Sequence, residues 1–373
     1  MKRNTAISSL FLCLFFPVIG EAKAEEDDDE CEASVFELEI ESELEFQAVV
    51  TANDEKTSLA TGELELDGEL ILFPGLTLGV GIGFEEVNEE EGEFYDENQY
   101  FEKLGLFAEE IFIAYETGNI RFVAGKFNPT FGVGRELAPG PFGHQLPEDF
   151  YEQLERIGGG ASYSFGSKTV GQHTLTAQSY FADTTFLSGS LVTSRERHHK
   201  SDGGLANTGD FSSYSITLAG SLPVSGLDLQ YSTSYMKNTP GGDETGSETG
   251  YAVALYGDID LNDAVRLKPI VEYVKFSNAE GEEQDRSIFL VGNTVVFDRW
   301  NMAASYSRVA STPDDEDIED IDAEEFQLSI GYVLQENLSI DIAYIYHHSK
   351  FDDEAARNHI LGVMLRHEFE TGF

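Results

Sequence analysis

Between Val35 and Val50 the chain alternates with a period of two. Phe36, Leu38, Ile40, Leu44, Phe46 and Ala48 fall on one face of an extended strand, and Glu37, Glu39, Glu41, Glu43, Glu45 and Gln47 on the other. Leu59–Leu72 repeats the pattern, with Leu64, Leu66, Leu70 and Leu72 against Glu63, Glu65, Asp67 and Glu69. Alternation of this kind excludes a helix and fixes strands that separate two very different surroundings. Same-face neighbours on a strand lie about 6.8 Å apart, where two unit charges repel by roughly 0.6 kcal/mol in water and several-fold more at low dielectric. Nine carboxylates on two adjoining strands therefore face water, either outside a soluble sheet or in the lumen of a pore.

The chain opens with Lys2 and Arg3, continues through the apolar run Leu10–Ile19 and reaches Ala22-Lys23-Ala24 before a burst of acid, the order of a secretory signal peptide. That run is shorter than the about 20 residues a membrane helix needs, so residues 1–24 are expected to be cleaved. Leu12 precedes Cys13 where a lipoprotein signal carries a small residue, which argues against lipidation. Cleavage leaves Cys31 alone, without an internal disulfide partner. It also removes Lys2, Arg3, Lys23 and Glu21, so 20 basic and 68 acidic residues remain of the original 23 and 69, a net charge of −48. Such a chain repels nucleic acid and attracts cations. At 41% hydrophobic, with 27 Phe and 16 Tyr, it is too apolar to be disordered throughout. No later stretch is long and apolar enough for a membrane helix, so a membrane location requires strands. Residues 25–34, EEDDDECEAS, are expected to form an acidic periplasmic tail rather than a divalent-cation site.

Further strands are expected at about 75–86, 104–116, 119–128, 156–166, 172–182, 211–222, 226–238, 248–260, 264–277, 285–297, 299–309, 323–334, 337–350 and 357–369, sixteen in all. Connections after even-numbered strands are short: Phe73-Pro74, Thr117-Gly118, Ser167–Gly171, Pro223–Ser225, Leu261–Asp263, Asp298 and Gln335-Glu336. Those after odd-numbered strands are long or intermediate: 51–58, 87–103, 129–155, 183–210, 239–247, 278–284, 310–322 and 351–356. Short turns thus gather at one end and long loops at the other, as in a membrane barrel with periplasmic turns and extracellular loops. A soluble sandwich has no reason to sort its loops this way. Many strands end in aromatics, among them Tyr115, Tyr163 with Phe165, Tyr180 with Phe181, Tyr251, Tyr273 with Phe276, Trp300, Tyr332, and Tyr344 with Tyr346, as the girdles of such a barrel require. The fold class expected is all-β, a transmembrane antiparallel up-and-down β-barrel of sixteen strands over residues 35–373.

The C-terminus fits this frame. Leu361, Val363, Leu365, His367, Phe369, Thr371 and Phe373 share one face, and the last residue is aromatic. In its signal peptide, strand count, sorted loops, long third loop and terminal Phe373, the chain resembles the Gram-negative outer-membrane porins. The resemblance implies that Phe373 is read by the barrel-assembly machinery, that the barrel lies in the outer membrane among lipid and lipopolysaccharide, that it forms a homotrimer, and that it uses no cofactor. His367 and Thr371 depart from the apolar pattern of the family's last strand. Pro269, inside the eleventh strand, demands a bulge or a strand end, because a closed barrel has no free edge for it.

The third long loop, 128–155, reads NPTFGVGRELAPGPFGHQLPEDFYEQLE. Its prolines and glycines exclude a strand or a continuous helix, and loops of this length tend to be functional. It reads as a pore constriction, with an ordinary surface loop as the alternative. In porins the third loop folds into the barrel and its carboxylates face basic residues on the wall. Carried onto this chain, the loop supplies Glu136, Glu148, Asp149, Glu152 and Glu155 together with Arg135 and His144, and Lys126 and Arg156 stand at its feet. Arg266 and Lys268 share a face with Glu272. Charges facing lipid near the midplane cost about 2–4 kcal/mol, so these bases and Arg366 are expected to line the lumen, a place at the rim being the alternative for each.

Acid-rich first strands with few lumenal bases predict a diffusion channel for small hydrophilic solutes that prefers cations. No ladder of Arg and Lys, as in phosphate-selective porins, is visible. A substrate-specific porin, for a siderophore for example, stays open. A barrel enzyme would need a catalytic group near the membrane surface; His198, His199, His347 and His348 are available, but no Ser-His-Asp or metal-ligand spacing stands out, and no enzymatic activity is expected. A soluble β protein or adhesin is the third reading. Pro313–Glu325, PDDEDIEDIDAEE, lacks the glycine and spacing of an EF-hand and reads as a solvated outer loop. Arg195–Lys200, RERHHK, reads as balancing charge on an acidic surface.

Overall fold

The alternating segments become the staves of one closed barrel. The computed structural model describes residues 37–51, 57–86, 98–143, 150–151, 153–192, 197–224, 227–242, 246–313, 320–351 and 354–372. Sixteen long strands run in sequence: β1 (Glu37–Thr51), β2 (Thr57–Phe73), β3 (Leu76–Glu86), β4 (Leu104–Thr117), β5 (Ile120–Phe127), β6 (Arg156–Ser167), β7 (Gly171–Ala182), β8 (Ser213–Leu222), β9 (Asp228–Asn238), β10 (Glu248–Asn262), β11 (Val265–Ser277), β12 (Gln284–Phe297), β13 (Trp300–Pro313), β14 (Ile321–Gln335), β15 (Leu338–Phe351) and β16 (Glu354–Gly372). Each pairs antiparallel with the next, and β16 returns to β1 from Glu39↔Gly372 to Thr51↔Ile360. Closure leaves no free sheet edge, which is what a strand-built membrane protein requires.

Parity along each strand separates the two faces. Phe46, Tyr115, Tyr163, Tyr251, Trp300 and Leu361 are exposed on the outer face. Ser232, Ser234, Ala252, Ala303, Ser305 and Ser307 are buried on the inner one. The described turns Gly118-Asn119 and Asp298-Arg299 at the short-turn end are two residues long. Gly75 shows why such turns need glycine: its φ is +84°, and a Cβ would lie 2.4 Å from the Glu116 carbonyl oxygen. At the long-loop end two strands outrun their neighbours, and loops complete the wall. Gln99–Tyr100 pairs parallel with Leu59–Ala60 of β2, and the Leu191 N–H donates to the Leu106 carbonyl of β4 at 2.7 Å.

Three expectations are corrected. The connection expected at 351–356 shrinks, because β15 runs to Phe351 and β16 starts at Glu354; the Lys350↔Ala355 pairing extends the hairpin into what reads as a loop. Pro269 occupies neither a bulge nor a strand end. It pairs with Asn293 in an unbroken β11–β12 register, and on the β10 side the ladder passes from Tyr256↔Ile270 to Ile259↔Leu267 in the same register. Tyr180 and Phe276, expected in the outer girdles, point inward and are 0% and 1% exposed; Phe276 packs on Phe131 of the third loop, and the Tyr180 hydroxyl donates to Asn238 Oδ1 of β9 at 3.1 Å.

Candidate functional site

The third loop lies inside the barrel, and the hydrophobic core of the protein is the layer between this loop and the wall. Phe131 and Tyr151 pack with Met236, Val274, Phe276 and Ile288. Val133, Leu137 and Ala138 cover Ala254, Tyr256, Ile270 and Leu290. Phe142 reaches the last strands, among Ala343, Ile345, Ile360 and Met364. A single helical turn, Gly134–Leu137, interrupts the extended path. Small inner residues make room: a Cβ on Gly362 would lie 2.4 Å from the Phe142 ring, and one on Gly292 2.8 Å from Pro139 Cγ.

Polar side chains of the wall meet the loop backbone, whose N–H and C=O groups would otherwise be buried without partners. Gln178 Oε1 accepts from the Thr130 N–H at 2.8 Å, and the Thr217 hydroxyl donates to the Thr130 carbonyl at 3.1 Å. Glu272 accepts from the Val133 N–H at 2.7 Å and, through its other oxygen, in a short bond from the Tyr151 hydroxyl. Gln327 accepts from the Phe142 N–H at 3.0 Å and donates to the Pro139 carbonyl at 2.9 Å. These anchors run from β7 to β14, and Phe142 extends the contact to β15 and β16. From the wall formed by β1–β4, Glu110 of β4 adds a bond at the loop's root and Val49 of β1 packs beside the Phe142 cluster.

That wall is acidic. The β1–β2 register sets Glu41 opposite Asp67, Glu43 opposite Glu65 and Glu45 opposite Glu63, with Glu39 opposite Glu69 continuing the backbone register. Two further carboxylates, Glu109 and Glu110 of β4, belong to the same wall, and the period-two alternation does not single them out. Their signal is visible in retrospect as two consecutive acids in an alternating strand, the mark of the register shift opposite Gly81 and Ile82. Gly79, Gly81 and Gly83 of β3 leave space for β4: a Cβ on Gly83 would meet Glu109 Oε1 at 2.0 Å, and one on Gly79 the Phe112 ring at 2.3 Å. Glu110 also accepts from the Asn128 N–H at 2.9 Å, fixing the root of the loop.

The expected constriction residues divide. Arg135 of the loop helix interacts electrostatically with Glu109 and Glu110, so a base of the loop faces acids of the wall, the reverse of the polarity expected. Glu136 beside it is exposed inside the barrel. Lys126 and Glu155 do not line a passage: Lys126 is 3% exposed and bridges Glu155 at 2.7 Å and Asp183 at 3.0 Å, clamping the roots of two loops. Arg156 lies among Tyr180, Glu248 and Glu155. Arg266 sits near the short-turn rim, paired with Asp258 at 3.1 Å and Asp260 at 3.0 Å, and Lys268 is its inward neighbour on the same face, close to Asp258. Arg366 reaches across the β1–β16 seam to Glu43 at 2.6 Å and, more closely, to Glu45. His144, Glu148, Asp149, Glu152 and Phe373, and the side chains of Glu37 and Glu39, lie outside the described residues. Among the described residues no group of three or more His, Cys, Asp or Glu side chains is arranged to hold a metal ion.

A closed sixteen-stranded antiparallel barrel with a long loop anchored on its inner wall is a porin-like architecture, and the solved structures it resembles are outer-membrane proteins. Pseudomonas putida OprB superposes with a TM-score of 0.57 at 12% identity, over 90% of this chain and 94% of that one. An anion-selective porin from Comamonas acidovorans gives 0.52 at 11% identity, over 90% and 100%. The trimer form of OmpT, an outer membrane protein of Vibrio cholerae, gives 0.51 at 10% identity, over 90% and 100%. No protein-family model and no curated protein sequence matches the chain. At these identities the likeness shows the fold alone.

Proposed function

We propose that the chain is an outer-membrane porin: a diffusion channel for small hydrophilic solutes that prefers cations. The passage runs between the third loop and the wall of β1–β4. The observation that carries this reading is the electrostatic asymmetry of the lumen. Inward carboxylates from three strands line the side opposite the loop's anchors on β7–β16, and Lys126, Arg266 and Arg366 are each paired with carboxylates. A lumen lined by one sign of charge concentrates the opposite ion, so this pore differs in selectivity from the anion-selective barrel that shares its fold. Residues 1–24 direct export, Phe373 serves barrel assembly, lipid and lipopolysaccharide surround the outer wall, and three copies associate as in the trimeric barrel named above. The test is the reversal potential of the detergent-purified mature protein in a planar bilayer under a KCl gradient. A potential toward that of potassium supports the reading; one toward chloride, or folded protein without conductance, overturns it.

A further inference from the structure

We propose that the acidic wall is a ladder for linear aliphatic di- and polycations, molecules whose ammonium groups are separated by a few methylenes. The proposal rests on the cation-preferring reading and goes further by naming the solute. Glu41–Asp67, Glu43–Glu65 and Glu45–Glu63 stand directly opposite one another, so rungs recur at every second residue, about 6.8 Å, between strands about 4.8 Å apart. The chain's own guanidinium shows that such rungs can be bridged: Arg366 spans Glu43 and Glu45, successive positions on β1. Beyond the Glu45–Glu63 rung the same row continues to Thr61, which is 4% exposed with a hydroxyl that has no hydrogen-bond partner. On the other flank Gly83, Gly81 and Gly79 stand opposite Glu65, Asp67 and Glu69, and the space over them is taken by Glu109, Glu110 and Phe112 of β4, which brings two more carboxylates to the row.

Like charges directly across a strand pair destabilise each other, so a cation lying between two rungs relieves repulsion whatever else the carboxylates touch. Potassium supplies them one at a time. A chain of ammonium groups supplies several for a single loss of translational freedom, each further group engaging at high effective concentration and releasing monovalent ions as it docks. A compact divalent ion, which holds its oxygens at about 2.3–2.6 Å, reaches no further than two neighbouring rungs, as the single Arg366 Nε does between Glu43 and Glu45.

The experiment uses the mature protein in a planar bilayer in symmetric KCl, with spermidine, 1,4-diaminobutane, propylamine or magnesium chloride added to one side. Interruptions of the potassium current should lengthen in the order propylamine, diaminobutane, spermidine. Glu65→Gln combined with Asp67→Asn should shorten the spermidine interruptions by about tenfold for each rung weakened, the scale of one charge-assisted contact, whereas Asp285→Asn on the outer face should leave them unchanged. If the double variant loses its heat-modifiable mobility, Glu41→Gln alone takes its place. Interruptions that are equal for magnesium and spermidine, or unchanged in the folded variants, overturn the ladder while a potassium-directed reversal potential keeps the porin reading. A chloride-directed potential overturns the porin's preference itself.

Discussion

Phe142 pins the third loop to the far side of the barrel, and its removal should release that loop without unfolding the strands. The ring is 1% exposed and lies over Gly362, in a seat formed by β15 and β16. Phe142→Ala deletes a fully buried ring facing paired strands that cannot collapse into the space, which sets the loss at about 3–5 kcal/mol. No strand pairing depends on the ring, so the loss falls on the docked state of the loop. At about 1.4 kcal/mol for each factor of ten, the docked-to-released ratio drops by roughly a hundred- to a few thousand-fold. Arg135 gives a direct assay, because trypsin cannot enter the bore and can cut after this residue only when the loop swings out. Folded Phe142→Ala protein in detergent micelles should be cleaved there and should show larger, noisier single-channel steps. Gly362→Leu, which fills the same seat from the wall side, should behave alike. Full protection at Arg135 together with unaltered conductance in both variants would refute the anchoring argument.

Glu109→Gln with Glu110→Gln should move the reversal potential in a KCl gradient toward zero, and Arg135→Gln should move it further toward potassium, because the two sides of the passage carry opposite charge. Lys126→Met leaves Glu155 and Asp183 buried beside each other without their cation, a loss of about 3–5 kcal/mol that should lower the temperature of the heat-modifiable gel shift; replacing all three by neutral residues should restore most of it. Gly140→Ala forces a side chain onto a φ of +89° with its Cβ 2.4 Å from Gln327 Nε2, so in urea unfolding it should cost more than Gly118→Ala. That second change meets open space and carries only the left-handed backbone cost of about 1–2 kcal/mol. In the loop between β7 and β8, the His199 N–H donates to Asp202 at 2.6 Å and holds its carboxyl below the ordinary value of 3.8. A lowered carboxyl stabilises the turn fully above its ordinary value and loses that contribution as pH falls through the lowered one. Exchange of the His199 amide should therefore quicken only in acid, and Asp202→Asn should bring the faster rate to neutral pH.

The barrel was legible because period-two alternation and turn chemistry are local properties. The sixteen strands follow from them within a few residues, and the acids of β1 and β2 share one face of the sheet as the alternation requires. Parity does not say which of two faces is dry, and this limit explains Tyr180 and Phe276: both look like girdle aromatics until Asn238 of the wall and Phe131 of the third loop supply an interior for them. Lys126 reads as a pore base because its neighbours in sequence are loop acids, yet one of its partners, Asp183, comes from a different loop, which no local pattern announces. Glu272 is legible as an inward carboxylate, but not as the acceptor that holds Val133 and Tyr151. Glu109 and Glu110 were hidden by the bulge that turns both toward the wall they belong to. The eighth long-loop-end connection was misjudged because Glu354–Ala356 looks like loop until its partner strand is present.

The position of the Phe142 seat has a consequence for biogenesis. Ile360, Gly362 and Met364 belong to β16, the strand that closes the ring by pairing with β1. Without that pairing the loop lacks half of its seat, and Glu43 and Glu45 lack Arg366. A single event therefore zips the seam, seats the loop and neutralises part of the acid row. A barrel stalled one strand short would be a wide, ungated hole with an uncompensated charge, so in this architecture completing the ring and narrowing the bore are one step.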